Sequence, residues 1–560
     1  MRYFILLVSV LVLTISGFSQ THHFKFNIND RSELEYLTRI ISIDNVQGKT
    51  VDAYANDKEW NDFIRLGYSY ESFPYPEKHE GIKMTNDPAK VLLDWDYYPT
   101  LGAYIALMNS FAFNYPSLCT IVNIGTSIQG RPLLFAKISH NINVREPEPE
   151  FMYTSSMHGD ELTGYVLMLH LINYLLTNYG TDPKVTNLLN NTEIWINPLA
   201  NPDGTFHGGD STVNGAVRYN ANNVDLNRNY PDPVMGLHPD GHAWQQETIN
   251  FMNVAASHRF VMSCNFHGGA EVVNYPWDSK YALHPDNDWY VRVSRQYADT
   301  VHAYAVSGYM TDLNNGITNG AAWYIVYGGR QDYMNYWHHD REVTIELSHT
   351  KTPPANQLPA FWNYNYRSFL NYIQACLYGV TGIVTDSATG QPLKAKVFIS
   401  GHDFDSSEVY SDSVTGKYNR PIIAGNYNIT YSCPGYYPKT INNIHASNDS
   451  TTIINVQLRR DYTSITNNRN NTPSYYKLYQ NFPNPFNPST IISFDIPSAS
   501  FVVLTIYDAS GRALQTLINR PFTAGHYETE WNASNYSSGI YFYKLEAGNY
   551  AETRKMILLK

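Results

Sequence analysis

Cysteine is scarce in this chain. Four cysteines stand among 560 residues, at Cys119, Cys264, Cys376 and Cys433. None forms a CxxC pair, which argues against a thiolate zinc site or a dithiol redox motif. Charge is thin as well: charged residues make up 16% of the chain and hydrophobic residues 43%. A chain disordered throughout carries more charge and fewer aromatics than this. Positive charge is the scarcer sign, with 39 Lys and Arg against 50 Asp and Glu, a net −11. No broad basic field exists to displace phosphate counterions, so nucleic acid is not the expected partner. Long apolar runs are missing with one exception. Phe4 to Ile15 (FILLVSVLVLTI) follows Arg2 and precedes Ser16-Gly17-Phe18-Ser19-Gln20. That run falls short of the ~20 residues a membrane helix needs. Residues 1–20 therefore read as a secretory signal, with an uncleaved anchor as the alternative. The mature chain is expected to hold no transmembrane segment, and export permits disulfides whose pairing stays open.

At roughly 150 residues per domain the length predicts three or four domains. Residues 21–92 form a first block, with LEYLTRIISI, VDAYA and a helical-looking EWNDFIRLG ahead of the Pro-rich SFPYPEKHEGIKM. It reads as a small α+β pro-segment or simply an N-terminal domain, and no motif in it carries recognisable chemistry. Residues 93–378 alternate strand-like runs (CTIVNIG, LLFAKIS, FMYTSSM) with helix-like ones (LTGYVLMLHLINYLLTNYG), which predicts one α/β domain with a largely buried sheet. Residues 379–458 are short strands and Gly-containing turns without helical period, the pattern of a small β-sandwich. Residues 459–477 are polar and Asn-rich and read as a linker. Residues 478–560 form a second β-rich block around IISFDI, VVLTIYD, GIYFYKLEA and RKMILLK.

The chemistry concentrates in the α/β block. FMYTSSM runs into Met157-His158-Gly159-Asp160-Glu161 just before a helix. His158 and Glu161, three apart at a strand-to-helix turn, can face one point, and zinc accepts imidazole nitrogen with carboxylate oxygen. HxxE alone is a weak signal, open to a surface or core histidine. NPLANPDG and RYNANNVDLNRNYP crowd two arginines among asparagines. Guanidinium offers paired donors to a carboxylate, although a solvated polar loop is the plainer reading. VMSCNFHGG ends an apolar strand at His267, which points to the carboxyl edge of the sheet, where α/β folds bind ligands. GITNGAAWYIVYGGRQDY is glycine-rich and aromatic, and TIEL embeds Glu346 in an apolar strand, costly unless that carboxylate is paired or functional.

HGDE, NPDG, DLNRNYP, NFHGG with NYPWD, GITNGAAWY with GGRQDY, and TIEL occur in this order. In that order the segments resemble the zinc carboxypeptidases, most closely the regulatory branch of carboxypeptidases D, E and N, over residues 95–378. The resemblance implies a carboxypeptidase-like mixed α/β sheet flanked by helices, followed by two small all-β sandwich domains. It implies one zinc ion per catalytic domain, held by His158, Glu161 and His267, with Glu346 as general base. By the same likeness Arg218 polarises the scissile carbonyl, Asn227 and Arg228 hold the substrate's terminal carboxylate, and Tyr324 closes over the substrate. Asp278 and Gln331 match the residues lining the pocket for the last side chain, which implies a preference for C-terminal Lys or Arg. Asp278 is also plausible as a turn residue in PWDS. Arg330 departs from the apolar residue usual beside that glutamine, and its charge is expected to weaken basic specificity.

Residues 379–458 resemble the transthyretin-like sandwich that follows the catalytic domain in that branch, with no catalytic role expected. Residues 478–560 resemble the type IX secretion sorting domain, through LYQNFPNPFNPSTIISFDIP, VVLTIYDASGR, SSGIYFYKLEAG and TRKMILLK. That likeness implies the type IX machinery as a partner and a location outside the cell or on its surface. The reading is a secreted zinc metallocarboxypeptidase acting on peptide or protein C-termini. The alternatives are a carboxypeptidase for cell-wall peptides or acidic side chains, and a non-catalytic surface-binding protein. The last predicts a missing ligand or base, and none is missing.

Overall fold

The computed structural model describes residues 21–461 and 473–560. The expected signal at 1–20, and 462–472 of the expected linker, lie outside the described residues.

The first domain runs β1 (Thr21–Asn27), α1 (Glu33–Leu37), β2 (Ser42–Gln47), β3 (Thr50–Asn56), α2 (Asp57–Ile64), β4 (Tyr70–Phe73). Its sheet order is β2-β3-β1-β4, with β2 on an edge. Alternation in β1 turns Phe24 and Phe26 inward onto Leu34, Leu37, Ile43, Val51 and Phe63, a core of its own. Asn56 and Glu59 form a capping box that fixes the start of α2. The expected boundary at residue 92 falls too late. The helix Pro88–Asp94 and the residues after it put Val91, Trp95 and Tyr98 into the core of the next domain, so the first domain ends with the segment after Phe73.

The α/β domain is built on an eight-stranded mixed sheet. Its strands are β5 (Cys119–Thr126), β6 (Pro132–Ile138), β7 (Glu150–Ser155), β8 (Glu193–Asn197), β9 (Phe260–His267), β10 (Glu271–Tyr275), β11 (Ile317–Asn319) and β12 (Arg341–Leu347). Their order is β11-β10-β12-β9-β7-β8-β6-β5. The four central strands, β12, β9, β7 and β8, are mutually parallel. They are apolar along nearly their whole length because helices cover both faces. The covering helix Thr163–Asn178 buries almost all of its first three turns. Parallel strands bring their carboxyl ends to one edge, so Ser155, His267 and Glu346 arrive there together. His267 and Glu346 are direct register partners across β9 and β12.

Two β modules follow. In the first, Gly379–Asp386 pairs with Lys417–Arg420, Thr451–Ile453 and Val456–Leu458. A second sheet of Lys396–Ile399, Val409–Tyr410, Gly425–Ser432 and Lys439–Ala446 packs on it over Val380, Val397, Ile429 and Val456. A buried ionic cluster seats this sandwich on the α/β domain. Arg420 Nη1 donates to both Asp286 carboxylate oxygens at 3.0 and 2.9 Å, and Arg341 Nη2 lies 2.7 Å from Asp286 Oδ2. The second module has a three-stranded and a four-stranded sheet around Phe494, Leu504, Trp531 and Tyr543. Strands Ala513–Phe522 and Gly525–Asn532 join those anticipated from sequence. The expected linker is trimmed at both ends. Arg460 bonds Asp386 at 2.8 Å, and Lys477 already opens a strand. All four cysteines are free thiols, three of them buried. Among the described residues no helix is long and apolar enough to cross a membrane.

Candidate metal centre and substrate site

The loop after β7 presents His158 and Glu161. Its shape depends on Gly159: a Cβ there would lie 2.4 Å from Gly204 C and 2.5 Å from Val217 O. The loop is therefore pressed flat against the NPDG turn. Asn201 Nδ2 donates to the carbonyls of Met157 and Arg218 at 3.2 and 3.3 Å, and Thr205 Oγ1 donates to Gly159 O at 2.9 Å. NPDG is thus the buttress of the metal loop rather than a ligand site.

Three side chains converge. His158 Nδ1 lies 2.9 Å from Glu161 Oε1, and His267 Nδ1 lies 2.8 Å from Glu161 Oε2. The two Nδ1 atoms are 3.1 Å apart, and all three residues are buried. His158 Nε2 donates to Asp225 Oδ1 at 3.0 Å, which leaves Nδ1 as a lone pair aimed inward. Two nitrogen atoms and a carboxylate crowded together out of water need a cation between them, and this donor set suits zinc with one position left for water. Sequence had named the three ligands. It had not assigned Asp225, whose other oxygen accepts from Arg218 Nε at 3.0 Å. One carboxylate therefore sets both a metal-binding imidazole and the neighbouring guanidinium.

Around this centre one cavity is lined by His158, Glu161, His267, Glu346, Arg218, Tyr324, Asn227, Arg228 and Asp278. Glu346 Oε2 is buried without a hydrogen-bond partner among the described residues. Burial, then the nearby Glu161 and Asp44 carboxylates, push its carboxyl well above the usual range. Asn227 is held by its backbone N–H on Asp225 Oδ1 at 2.8 Å and by Arg330 N–H on its Oδ1 at 3.0 Å. Gly328, at φ +72°, allows the loop to pass Arg228, since a Cβ would lie 2.2 Å from Arg228 O.

Deeper in the cavity, Asp278 Oδ1 accepts from Asn274 Nδ2 and Gln331 Nε2, both at 2.9 Å. Gly320 is required above it, because a Cβ would sit 1.8 Å from that oxygen. Asn274 Oδ1 and Gln331 Oε1 are buried acceptors left without partners among the described residues. Burial, then the Asp332 carboxylate, push Asp278 well above its ordinary value. The donors bonded to Asp278 Oδ1 are neutral amides, and the Arg228 guanidinium in the same cavity acts on that carboxyl only through its charge. Gln331, expected to line the pocket, instead reaches it through Asp278, while Asn274, which sequence had passed over, lines it directly. Arg330, expected to disturb the pocket, faces away: Nε and Nη2 donate to the two Glu342 oxygens at 3.0 Å each, fully buried.

The N-terminal domain, where sequence showed no chemistry, enters the cavity. Asp44 is one of its lining residues, and Lys351, also unremarked in the sequence, meets Asp44 there.

A zinc carboxypeptidase family profile matches residues 104–368, and a secretion system C-terminal sorting domain profile matches 480–559. Human carboxypeptidase D is 37% identical over 388 residues, 66% of this chain and 27% of that protein. This chain thus spans about a quarter of that relative's length. Mouse carboxypeptidase M is 35% identical over 62% of this chain and 81% of its own. The crystal structure of carboxypeptidase A from Helicoverpa armigera aligns with a TM-score of 0.49 at 17% identity, covering 63% of this chain and 96% of that one. The ordered motifs, the geometry they adopt and the mouse relative matched over most of its length agree: this chain belongs to the zinc carboxypeptidase family.

Proposed function

We propose that this protein is a zinc-dependent metallocarboxypeptidase that removes the last residue of peptides or proteins, preferring Lys or Arg. The observation that carries the reading is the meeting of the His158–Glu161–His267 centre with Arg228 and Asn227 in one cavity. Zinc, when bound, supplies a Lewis acid and a water acidified toward neutrality. The protein residues do the rest. Arg228 and Asn227 bind the substrate's terminal carboxylate, which an internal peptide bond does not offer, and the site selects chain ends. Arg218, fixed by Asp225, donates to the scissile carbonyl oxygen as its charge grows. Glu346 takes a proton from water and passes it to the departing amine. Tyr324 lines the same cavity and closes the substrate's end of it. Asp278, with Asn274 and Gln331, supplies the acceptors that a guanidinium or ammonium completes.

The acidic-side-chain alternative needed a cation in this pocket, and Arg330 is committed to Glu342 instead. We further assign residues 379–458 as a transthyretin-like module that stabilises the catalytic domain. The 1–20 signal and the sorting domain act in export by type IX secretion, to the outside of the cell or its surface. The test is release from peptides ending in Lys, Arg, Phe, Leu or Glu, with and without chelator, beside Glu346→Gln. Release of Lys and Arg that is lost with chelator and in the variant supports the reading. Release of Phe or Leu alone keeps the mechanism and removes the assignment of Asp278. Zinc binding without any release overturns it.

A further inference from the structure

We propose that the first β module shapes the side-chain pocket as well as bracing the domain: Asp405, acting through Lys280, is a positioning residue for Asp278 and hence for the preference for Lys or Arg. This rests on the carboxypeptidase reading of the cavity, with Asp278 facing the substrate's last side chain.

The loop 400–408 joins the paired strands Lys396–Ile399 and Val409–Tyr410. Asp403 anchors it: one carboxylate oxygen accepts from the Ile399 N–H at 2.8 Å and the other from Arg420 Nη2 at 2.7 Å. The chain then turns tightly, and the Ser407 N–H donates to Phe404 O at 3.0 Å. Both central residues of that turn, Asp405 and Ser406, lie in the left-handed region, at φ 52° and 61°. An aspartate visits that region readily, and a serine does so at a cost. Such backbone persists where its surroundings hold it.

Those surroundings are the back of the pocket. Lys280 Nζ donates to Asp405 Oδ2 at 2.7 Å. His339 Nδ1 donates to Ser406 O at 2.8 Å, and Arg341 Nη2 donates to Ser407 O at 2.6 Å. Each partner belongs to an element that builds the site. Lys280 follows Asp278 by two residues. His339 ends the helix Arg330–His338, which carries Gln331 and Asp332. Arg341 opens β12, which carries Glu346. Asp332 in turn accepts from the backbone N–H groups of Asp278 and Ser279 at 3.0 and 2.9 Å, and from Ser279 Oγ at 2.6 Å. Residues 403–407 do not line the cavity themselves, so they act through these partners.

Of the three contacts, only the first joins side chain to side chain, and a point substitution can remove it. Lys280 is also guided along its length. Its ammonium lies 4.4 Å from the ring centre of the buried Trp277 and 5.8 Å from that of Tyr336. The lysine thus folds back over Trp277, and residues 277–280 form one bracket around Asp278. The Lys280 and Asp405 side chains are 20% and 36% exposed. A pair this open to water contributes little to stability. What it fixes is the path of residues 278–280. The pocket has no slack there, because Gly320 packs directly on Asp278 Oδ1. A binding group misplaced by about 1 Å can cost on the order of 100-fold, so a fraction of that shift is measurable.

The test uses the full chain and two peptides, one ending in Lys and one in Leu, with kcat and KM measured separately. The variants are Asp405→Gly, which removes the carboxylate and accepts the left-handed backbone, Lys280→Met, which keeps the stem over Trp277, the two together, and Asp405→Glu. Each single variant is expected to raise KM for the Lys peptide roughly 3- to 10-fold, with kcat and the Leu peptide within about twofold of wild type. The double variant is expected to be no worse than the singles, and Asp405→Glu to recover part of the loss. Zinc content and the unfolding temperature should stay at wild-type values. An unchanged Lys-to-Leu ratio in Asp405→Gly overturns the proposal and leaves the carboxypeptidase reading standing. So does an equal loss for both peptides, which marks a merely structural role. Fully additive losses overturn the route through Lys280. A wild-type chain that shows no preference for Lys overturns the reading of Asp278 and the proposal with it.

Discussion

The catalytic domain is gripped on two sides by buried arginine–aspartate contacts that serve different ends. Toward the first β module, Arg420 and Arg341 share Asp286, and Arg420 also holds Asp403 at 2.7 Å. None of these residues lines the cavity, and the cluster works as a permanent staple. Toward the N-terminal domain the same kind of contact, Arg218 with Asp44, uses a guanidinium that also lines the cavity. What differs is not the bond but what else its arginine is for. A contact built from scaffold residues leaves the cavity untouched, whereas the Asp44 contact engages a guanidinium that lines it.

That comparison can be broken in several ways. The largest effect is expected from Glu346→Gln, which should lower turnover by about 1,000-fold or more. Because it removes proton transfer and not a ligand, zinc binding should be unchanged while turnover falls. Loss of zinc binding in the variant would mean that Glu346 supports the metal centre instead. Next, Asp286→Ala should destabilise the chain by about 3–5 kcal/mol, since Arg341 is left buried without its carboxylate and Arg420 keeps only Asp403. Thermal or denaturant unfolding of the β module and its neighbour reads this. The preference among C-terminal residues should not move, and a changed preference would make this staple part of the site. Asp225→Asn should cost roughly 10- to 100-fold in metal affinity or rate, as it loosens His158 and Arg218 together. Metal titration separates a weakened His158 from a displaced Arg218, since only the former lowers zinc affinity. The smallest effect is expected from Asp278→Asn, a drop of about 10-fold or more in Lys and Arg release with Leu release little changed. An equal drop for all residues would show that Asp278 supports the loop instead of reading a cation.

The legible parts of the site were those written as short segments at strand ends. His158 with Glu161, His267 and Glu346 each close or follow a parallel strand, and the carboxyl ends of such strands meet. Neighbours in sequence misled where they diverge in space. Arg330 and Gln331 open a helix, Arg330–His338, so their side chains leave the axis about 100° apart. Gln331 reaches Asp278 and Arg330 reaches Glu342. The concern that Arg330 would alter the pocket came from adjacency alone.

The sequence by itself singled out the residues that the fold brings together, His158, Glu161, His267, Glu346, Arg218, Asn227 and Arg228, all of which line one cavity. Those depend on local pattern: strand periodicity, turn glycines and ligand spacing. Only the tertiary structure decided how Asp225 serves both His158 and Arg218, why Gly159 and Gly320 must lack a Cβ, and where Asp44 and Lys351 go. Asp44 and Lys351 are 307 positions apart in the chain and carry no motif. Their meeting follows from a bulge on an edge strand and from the docking of one domain on another, and neither leaves a periodic mark in the residues.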